Sequence, residues 1–269
     1  MRAAAVLCAR NEALHIESCL RDLLREGLEA VLIDHQSEDD TVRRARPFLG
    51  RGLLAIESMS WRGRFSLRAQ LRRKREIAAA LDHDWVLHVD ADEGPCSPRE
   101  GETLAEALAR ADAAGSTCVN FDEFVFLPGP GERFEGTDYR RLMLGYYFYE
   151  PSRPRLLRAW RRDAGLDNLS SGGHLLRGGP VRIFAESFTL RHYICLSEAH
   201  ARAKYLGRRY SRIERWRGWH ANRVGITEAA LRLRPSPALR RLPEPDSRAF
   251  DRSRPIDRHF WEWPPAPEA

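Results

Sequence analysis

The chain opens on an apolar run, Ala3–Ala9 (AAAVLCA), in which neither alternate set of positions is polar. A short run apolar on both faces reads as a strand of a parallel sheet covered on both sides. From 12 to 26 the spacing becomes helical, with Ile16, Leu20, Leu23 and Leu24 recurring and Gly27 placed as the stop. Residues 30–34 (AVLID) predict a second strand, HQSEDD a polar turn, and Thr41 the start of a helix capped by Asp39 or Asp40. A third strand at 53–56, a basic amphipathic helix at 66–81 and a fourth strand, Trp85–Val89 (WVLHV), follow, the last ending at Asp90.

Four strands alternating with helices predict an α/β fold, a doubly wound and mainly parallel sheet flanked by helices. Ligands of such sheets bind beyond the carboxyl ends of the strands, where Asn11, Asp34 and Asp90 all fall. Further on, 98–114 reads as a helix, 117–127 as a strand, PGPGERFEG (128–136) as a mobile loop and 155–160 as a strand. Residues 197–215 read as one helix capped by Ser197. Beyond that the pattern weakens and prolines multiply. The expected organisation is one domain over 1–215, with a nucleotide-binding half to about 95 and an acceptor half to 215, then a helical and irregular C-terminal tail over 216–269.

Composition narrows the function classes. With 43% hydrophobic and 30% charged residues the chain is globular rather than disordered. Its formal charge of +6 favours phosphate-bearing partners. All basic residues except Lys74 and Lys204 are arginine, a bias that by itself names no function. No helix-turn-helix, zinc-finger or RNA-binding aromatic signature accompanies the charge, so no nucleic-acid partner is expected. Five scattered cysteines without CxxC spacing fit a reducing compartment better than a disulfide framework. The early apolar run is too short for a secretory signal, and no stretch reaches the roughly 20 apolar residues of a membrane span. A soluble, cytoplasmic protein is expected.

The sharpest chemical feature is HVDADEG (88–94). In an extended chain Asp90 and Asp92, separated by Ala91, point to the same side. Two such carboxylates at a strand's exposed end repel unless a cation or proton lies between them. Mg2+ or Mn2+ suits them, with a diphosphate completing the shell. The competing reading is a polar turn with helix-capping aspartates. Before it lies ARNE (Ala9, Arg10, Asn11, Glu12), where Asn11 is placed to cap the next helix and favour an anion. Asp34 could accept from a base N–H or ribose hydroxyl, or simply form a turn.

RNEA after the first strand, IDHQSEDDT after the second, a basic helix and then WVLHVDADE resemble the family 2 glycosyltransferases of GT-A fold. More narrowly they resemble the branch with an N-terminal [KR]NE motif and an HVDADE metal motif. The likeness spans about residues 3–95, with VNFDEFVFLP, SSGGHLL and LRHYICLSEAHARAKY similar to that branch's second half. It implies that Asp90 and Asp92 bind the metal–diphosphate, that Ala9, Arg10, Asn11 and Asp34 surround the base and ribose, and that Lys74 faces the nucleotide. One departure is His35, where many members carry a second acidic residue.

The resemblance implies transfer of a hexosyl group from a nucleotide-diphosphate sugar to the hydroxyl of a glycan or lipid-linked acceptor. Bacterial surface polysaccharide or lipopolysaccharide synthesis is the setting it suggests. The general base falls to Glu186 or Asp167, with Asp122 and Glu123 also open. His174 (SGGH) and His192 (LRHY) are candidate late metal ligands or hydrogen-bonded structural histidines. The basic and aromatic stretch 212–223 reads as a packed tail, with peripheral contact to the inner, anionic face of the membrane or stacking on sugars as alternatives. Two other functions stay open: a nucleotidyltransferase, although ARNEALH lacks the expected glycine-rich loop, and a non-catalytic nucleotide- or glycan-binding relative.

Overall fold

The computed structural model describes residues 1–219 and 221–264. In chain order the elements are β1 (Ala3–Ala9), α1 (Ile16–Arg25), β2 (Glu29–Asp34), α2 (Thr41–Ala45), β3 (Leu53–Ser58), α3 (Leu67–Ala80) and β4 (Trp85–Val89). After these come β5 (Glu93–Cys96), α4 (Leu104–Ala113), β6 (Cys118–Phe126), α5 (Tyr139–Leu142), β7 (Gly145–Tyr149) and β8 (Leu156–Arg161). The remainder is β9 (Leu166–Asp167), β10 (Arg177–Gly178), β11 (Phe188–Tyr193), α6 (Glu198–Tyr205), α7 (Arg212–Trp216) and β12 (Arg240–Arg241). The chain forms two compact units. The first holds Met1–Arg62, Ser66–Asp122 and Pro154–Leu190, and the second holds Gly63–Phe65, Glu123–Arg153 and the chain from Arg191 onward.

In the first unit, strands β3, β2, β1 and β4 lie side by side and parallel. The alternation along β1 explains why its run is apolar throughout. Ala5, Leu7 and Ala9 pack with Cys19, Leu20 and Leu23 of α1 and Leu104 and Leu108 of α4. Val6 and Cys8 pack on the other face with Val31, Ile33 and Ile77 and Ala78 of α3. Both faces are covered, as the α/β reading requires. Beyond β4 the pairing turns antiparallel: β8 pairs with β4, with Leu87 opposite Ala159, and residues 118–121 of β6 pair with β8. The sheet is therefore mixed, with β3, β2, β1 and β4 forming a parallel run.

Several boundaries differ from the sequence reading. Helix α1 starts at Ile16, after a turn in which His15 N–H donates to the Glu12 carbonyl at 2.9 Å. Its N-cap is His15, so Asn11 is not the cap expected from its type. Gly27 does end the helix, at φ +80°. The helix expected over 98–114 shortens to α4, fixed at its start by a reciprocal Thr103–Glu106 capping box.

The second unit is built on residues 123–126 of β6, which pair antiparallel with β7, and on β12, which pairs with β7 in turn. Phe124, Phe126, Tyr146, Phe148, Tyr193 and Phe250 form one apolar cluster. Val125, Tyr147, Ile194 and Tyr205 form another with Leu231, Leu233, Phe260 and Trp261, so the stretch expected as a tail supplies core residues. The helix expected over 197–215 is two helices, α6 and α7, with Gly207 at φ +71° between them. Ser197 does cap α6, accepting from His200 N–H at 3.0 Å. Of the expected tail, His220 and residues 265–269 lie outside the described residues. Among the described residues no helix is long and apolar enough to cross a membrane.

Candidate active site at the end of the fourth strand

The registers of the parallel strands bring their carboxyl ends to one edge. Ala9 of β1 pairs with Asp34 of β2, and Leu7 pairs with Val89 of β4, which places Asp90 just past that row. The chain then turns rather than continuing extended. Glu93 N–H donates to the Asp90 carbonyl at 3.0 Å, and Asp90 N–H donates back to Glu93 Oε2 at 2.9 Å. Strict alternation therefore does not govern Asp90 and Asp92. The Asp90 side chain is 48% exposed, whereas Asp92 is buried.

Two cations flank the Asp90 carboxylate. Lys74, buried on α3, donates to Asp90 Oδ1 at 3.3 Å and to the Val89 carbonyl at 3.0 Å. Arg158, on β8, donates to Asp90 Oδ2 at 3.4 Å and to Glu93 Oε2 at 2.8 Å. Enclosure by the surrounding chain pushes the Asp90 carboxyl up, but Lys74 and Arg158 outweigh it and hold the group well below the usual carboxylate range. Neighbouring Asp92 acts in the opposite sense, so the two carboxylates sense each other. Arg158 carries no sequence motif; its signal is an arginine set inside the apolar stretch LLRAW, ahead of the closing Arg161.

The loops after β1 and β2 are stitched together. Asn11 takes φ +56°, and its side-chain oxygen accepts from Glu38 N–H at 2.8 Å. Asn11, Glu12 and Ala13 donate their backbone N–H groups to Ser37, Thr41 and Asp39, respectively. These donors are engaged by the neighbouring loop, and the helix that follows starts only at Ile16. Arg10 donates to the carbonyls of His35 and Gln36 and pairs with Glu38 at 2.8 Å, and its guanidinium lies 4.4 Å over the Trp61 ring. Asp34 is buried and accepts from Ser37 N–H at 3.1 Å. His35 is buried, accepting from Gln70 Nε2 at Nδ1 and donating from Nε2 to the Ser60 carbonyl, each at 3.2 Å. That pattern fixes the neutral tautomer, and burial pushes its pKa below the usual histidine value.

The remaining candidates are engaged elsewhere. Asp167 pairs with Arg75 at 3.3 Å and accepts from Leu169 N–H at 3.0 Å. Glu186 bridges Arg110 at 2.6 Å and Arg99 at 3.3 Å. The His174 carbonyl accepts from Leu157 N–H at 2.8 Å. His192 and Glu123, both in the second unit, lie 2.6 Å apart. Among the described residues no three His, Cys, Asp or Glu side chains gather as a metal-ligating group. A half-exposed, ionised Asp90 beside Asp92 does fit a hard divalent cation as a partial ligand set, provided a bound diphosphate supplies the remaining oxygens.

No protein-family model and no curated protein sequence matches the chain. Solved structures are similar at low identity. S. aureus TarS 1-349 in complex with UDP is 13% identical with a TM-score of 0.44, covering 82% of this chain and 70% of that one. Against the longer S. aureus TarS structure the chain spans 37% of the partner's length. Glucosyl-3-phosphoglycerate synthase from Mycobacterium tuberculosis, with Mn2+, UDP and glucosyl-3-phosphoglycerate, is 23% identical at a TM-score of 0.30, covering 46% and 44%. A 4-diphosphocytidyl-2C-methyl-D-erythritol synthase is 16% identical at 0.33, covering 61% and 76%. These TM-scores are low, so we take the function from the site's own residues.

Proposed function

We propose that the chain is a metal-dependent glycosyltransferase that moves a sugar from a nucleotide-diphosphate sugar to an acceptor hydroxyl. The observation that supports this best is the half-exposed Asp90 carboxylate, at the carboxyl edge of parallel strands and flanked by Lys74 and Arg158. A carboxylate pair beside two cations suits a diphosphate neutralised by Mn2+ or Mg2+. Asp90, with Asp92, would hold the cation, which when bound stabilises charge on the departing nucleotide. Lys74 and Arg158 would add positive charge on either side of the diphosphate. Ala9, Arg10, Asn11, Glu12, Asp34 and Ala91 would line the nucleoside.

The acceptor's proton needs a carboxylate or a histidine to take it. Asp167, ion-paired with Arg75, and Glu186, ion-paired with Arg110, are the two expected candidates. The acceptor class is a glycan or lipid-linked sugar of a bacterial surface polysaccharide or lipopolysaccharide, with the donor made and used on the cytoplasmic side.

A thermal-shift series with UDP, GDP, CDP and dTDP, each with and without Mn2+, tests the reading, because a ligand that binds only the folded state raises Tm. Metal-dependent stabilisation by one nucleotide, lost in Asp92→Ala, supports it. No shift with any nucleotide at millimolar concentration would sink it. Release of a nucleoside diphosphate, rather than pyrophosphate, then separates sugar transfer from nucleotidyl transfer.

A further inference from the structure

Helix α7 presents a surface that nothing in the proposed chemistry uses. Trp216 is 83% exposed and Ile213 is 42% exposed. Three residues apart, they share one side of the helix. Arg212, Arg215 and Arg217 are also exposed, with Arg212 one turn before Trp216. The helix's one acid, Glu214, is fully buried, so the outward side carries no negative charge. Among the described residues no carboxylate pairs with Arg209, Arg212 or Arg215, and the Arg217 guanidinium lies 5.1 Å over the Trp219 ring. Ser211 anchors the start of the helix by accepting from Glu214 N–H. The arrangement is therefore an exposed apolar pair flanked by exposed arginines.

Three kinds of occupant could cover an exposed tryptophan. A second copy of this chain would set like arginines against like across a two-fold interface, which repels. A neutral glycan would need hydrogen-bond acceptors beside the ring, and the carboxylate that α7 itself carries, Glu214, is buried. An anionic lipid surface satisfies both halves of the pattern, since tryptophan favours the headgroup boundary and arginine the phosphates. We propose that α7 docks the protein on an anionic lipid surface, with Trp216 and Ile213 entering the headgroup boundary and Arg212, Arg215 and Arg217 meeting lipid phosphates. Docking needs neither nucleotide nor metal, so it stands or falls separately from the transferase reading.

The test is co-flotation of the full chain with phosphatidylcholine vesicles, with and without phosphatidylglycerol. The expected result is binding only where phosphatidylglycerol is present, weakened by salt. Removing one arginine should lower partitioning about fivefold, and Trp216→Ala should lower it roughly tenfold. All these side chains are exposed, and unchanged Tm values in Trp216→Ala and Arg212→Ser/Arg215→Ser confirm that the variants fold. The proposal is overturned by no flotation, by equal flotation with phosphatidylcholine alone, or by flotation that both variants retain. It is also overturned if Trp216→Ala instead converts a dimer to a monomer in light scattering, or if soluble oligosaccharide quenches the Trp216 contribution to fluorescence while vesicles do not bind.

Discussion

Asp90 and Glu93 hold each other across a tight turn: Asp90 N–H donates to Glu93 Oε2 at 2.9 Å, and Glu93 N–H donates to the Asp90 carbonyl at 3.0 Å. The same Glu93 oxygen accepts from Arg158 at 2.8 Å. Glu93 is buried, so this carboxylate anchors the turn rather than facing a ligand. Glu93→Gln keeps an acceptor but removes the charge opposite Arg158. Stability should fall by about 1–3 kcal/mol in urea unfolding, and Glu93→Ala should cost more. Equal stability of wild type and both variants would mean that the turn is held by its backbone alone.

Asp90→Asn preserves shape while removing the negative charge between Lys74 and Arg158. If Asp90 holds the cation, sugar transfer should fall by about 10²–10³-fold, the usual range for losing one preorganised electrostatic contact. Metal-dependent stabilisation by nucleotide should vanish with it. The same substitution at Asp163, ion-paired with Arg161 on the surface, should leave transfer within about twofold of wild type. Transfer that survives Asp90→Asn would move the metal assignment elsewhere.

The parallel half of the fold was legible because its strands are short, largely apolar runs, each closed or followed by a polar residue, and Asp90 stands out just past one such end. What stayed hidden depends on partners distant in sequence. Arg191 and His192 make β11 look unlike a buried strand, yet it is buried throughout: Arg191 donates to the Pro245 and Ser247 carbonyls, and His192 meets Glu123. Asn11 has the side chain of a cap, but its positive φ and its bond to Glu38 belong to a loop pairing that no local pattern encodes. Arg158 reaches Asp90 only because β8 runs antiparallel beside β4, a register set by tertiary packing. The break between α6 and α7 rests on Gly207, which helical periodicity passes over.

His35 gives a pH prediction with a definite sign. Its Nδ1 accepts from Gln70, so protonation would set two donors against each other. Burial lowers its folded pKa below the usual histidine value, and the unfolded chain therefore takes up the proton first as pH falls. The stabilisation from neutral His35 is present above about pH 6.5 and is lost as pH falls toward the lowered folded value. Urea unfolding at about pH 7 and about pH 5 should show a larger loss for wild type than for His35→Gln. Matching losses would show that His35 is not the neutral acceptor described.

The donor set around Asp90 predicts how metal and nucleotide depend on each other. Among the described residues no three metal-ligating side chains converge, and Asp90 contributes one half-exposed carboxylate beside Asp92. A hard divalent cation wants about six oxygens, so protein groups alone leave most positions to water. Lys74 and Arg158 also repel a bare cation while attracting a diphosphate. Mn2+ alone should therefore bind weakly and barely shift Tm, whereas Mn2+ with the preferred nucleotide should shift it by more than the sum of the two separate effects. Thermodynamic linkage requires the reciprocal result, a tighter nucleotide Kd when Mn2+ is present. Lys74→Met and Arg158→Met should weaken nucleotide binding in the presence of Mn2+ and strengthen Mn2+ binding in its absence, because each removes a charge that favours the anion and opposes the cation. Titration calorimetry of the two variants with each ligand alone and together checks this, and tight Mn2+ binding to the nucleotide-free wild type would contradict it.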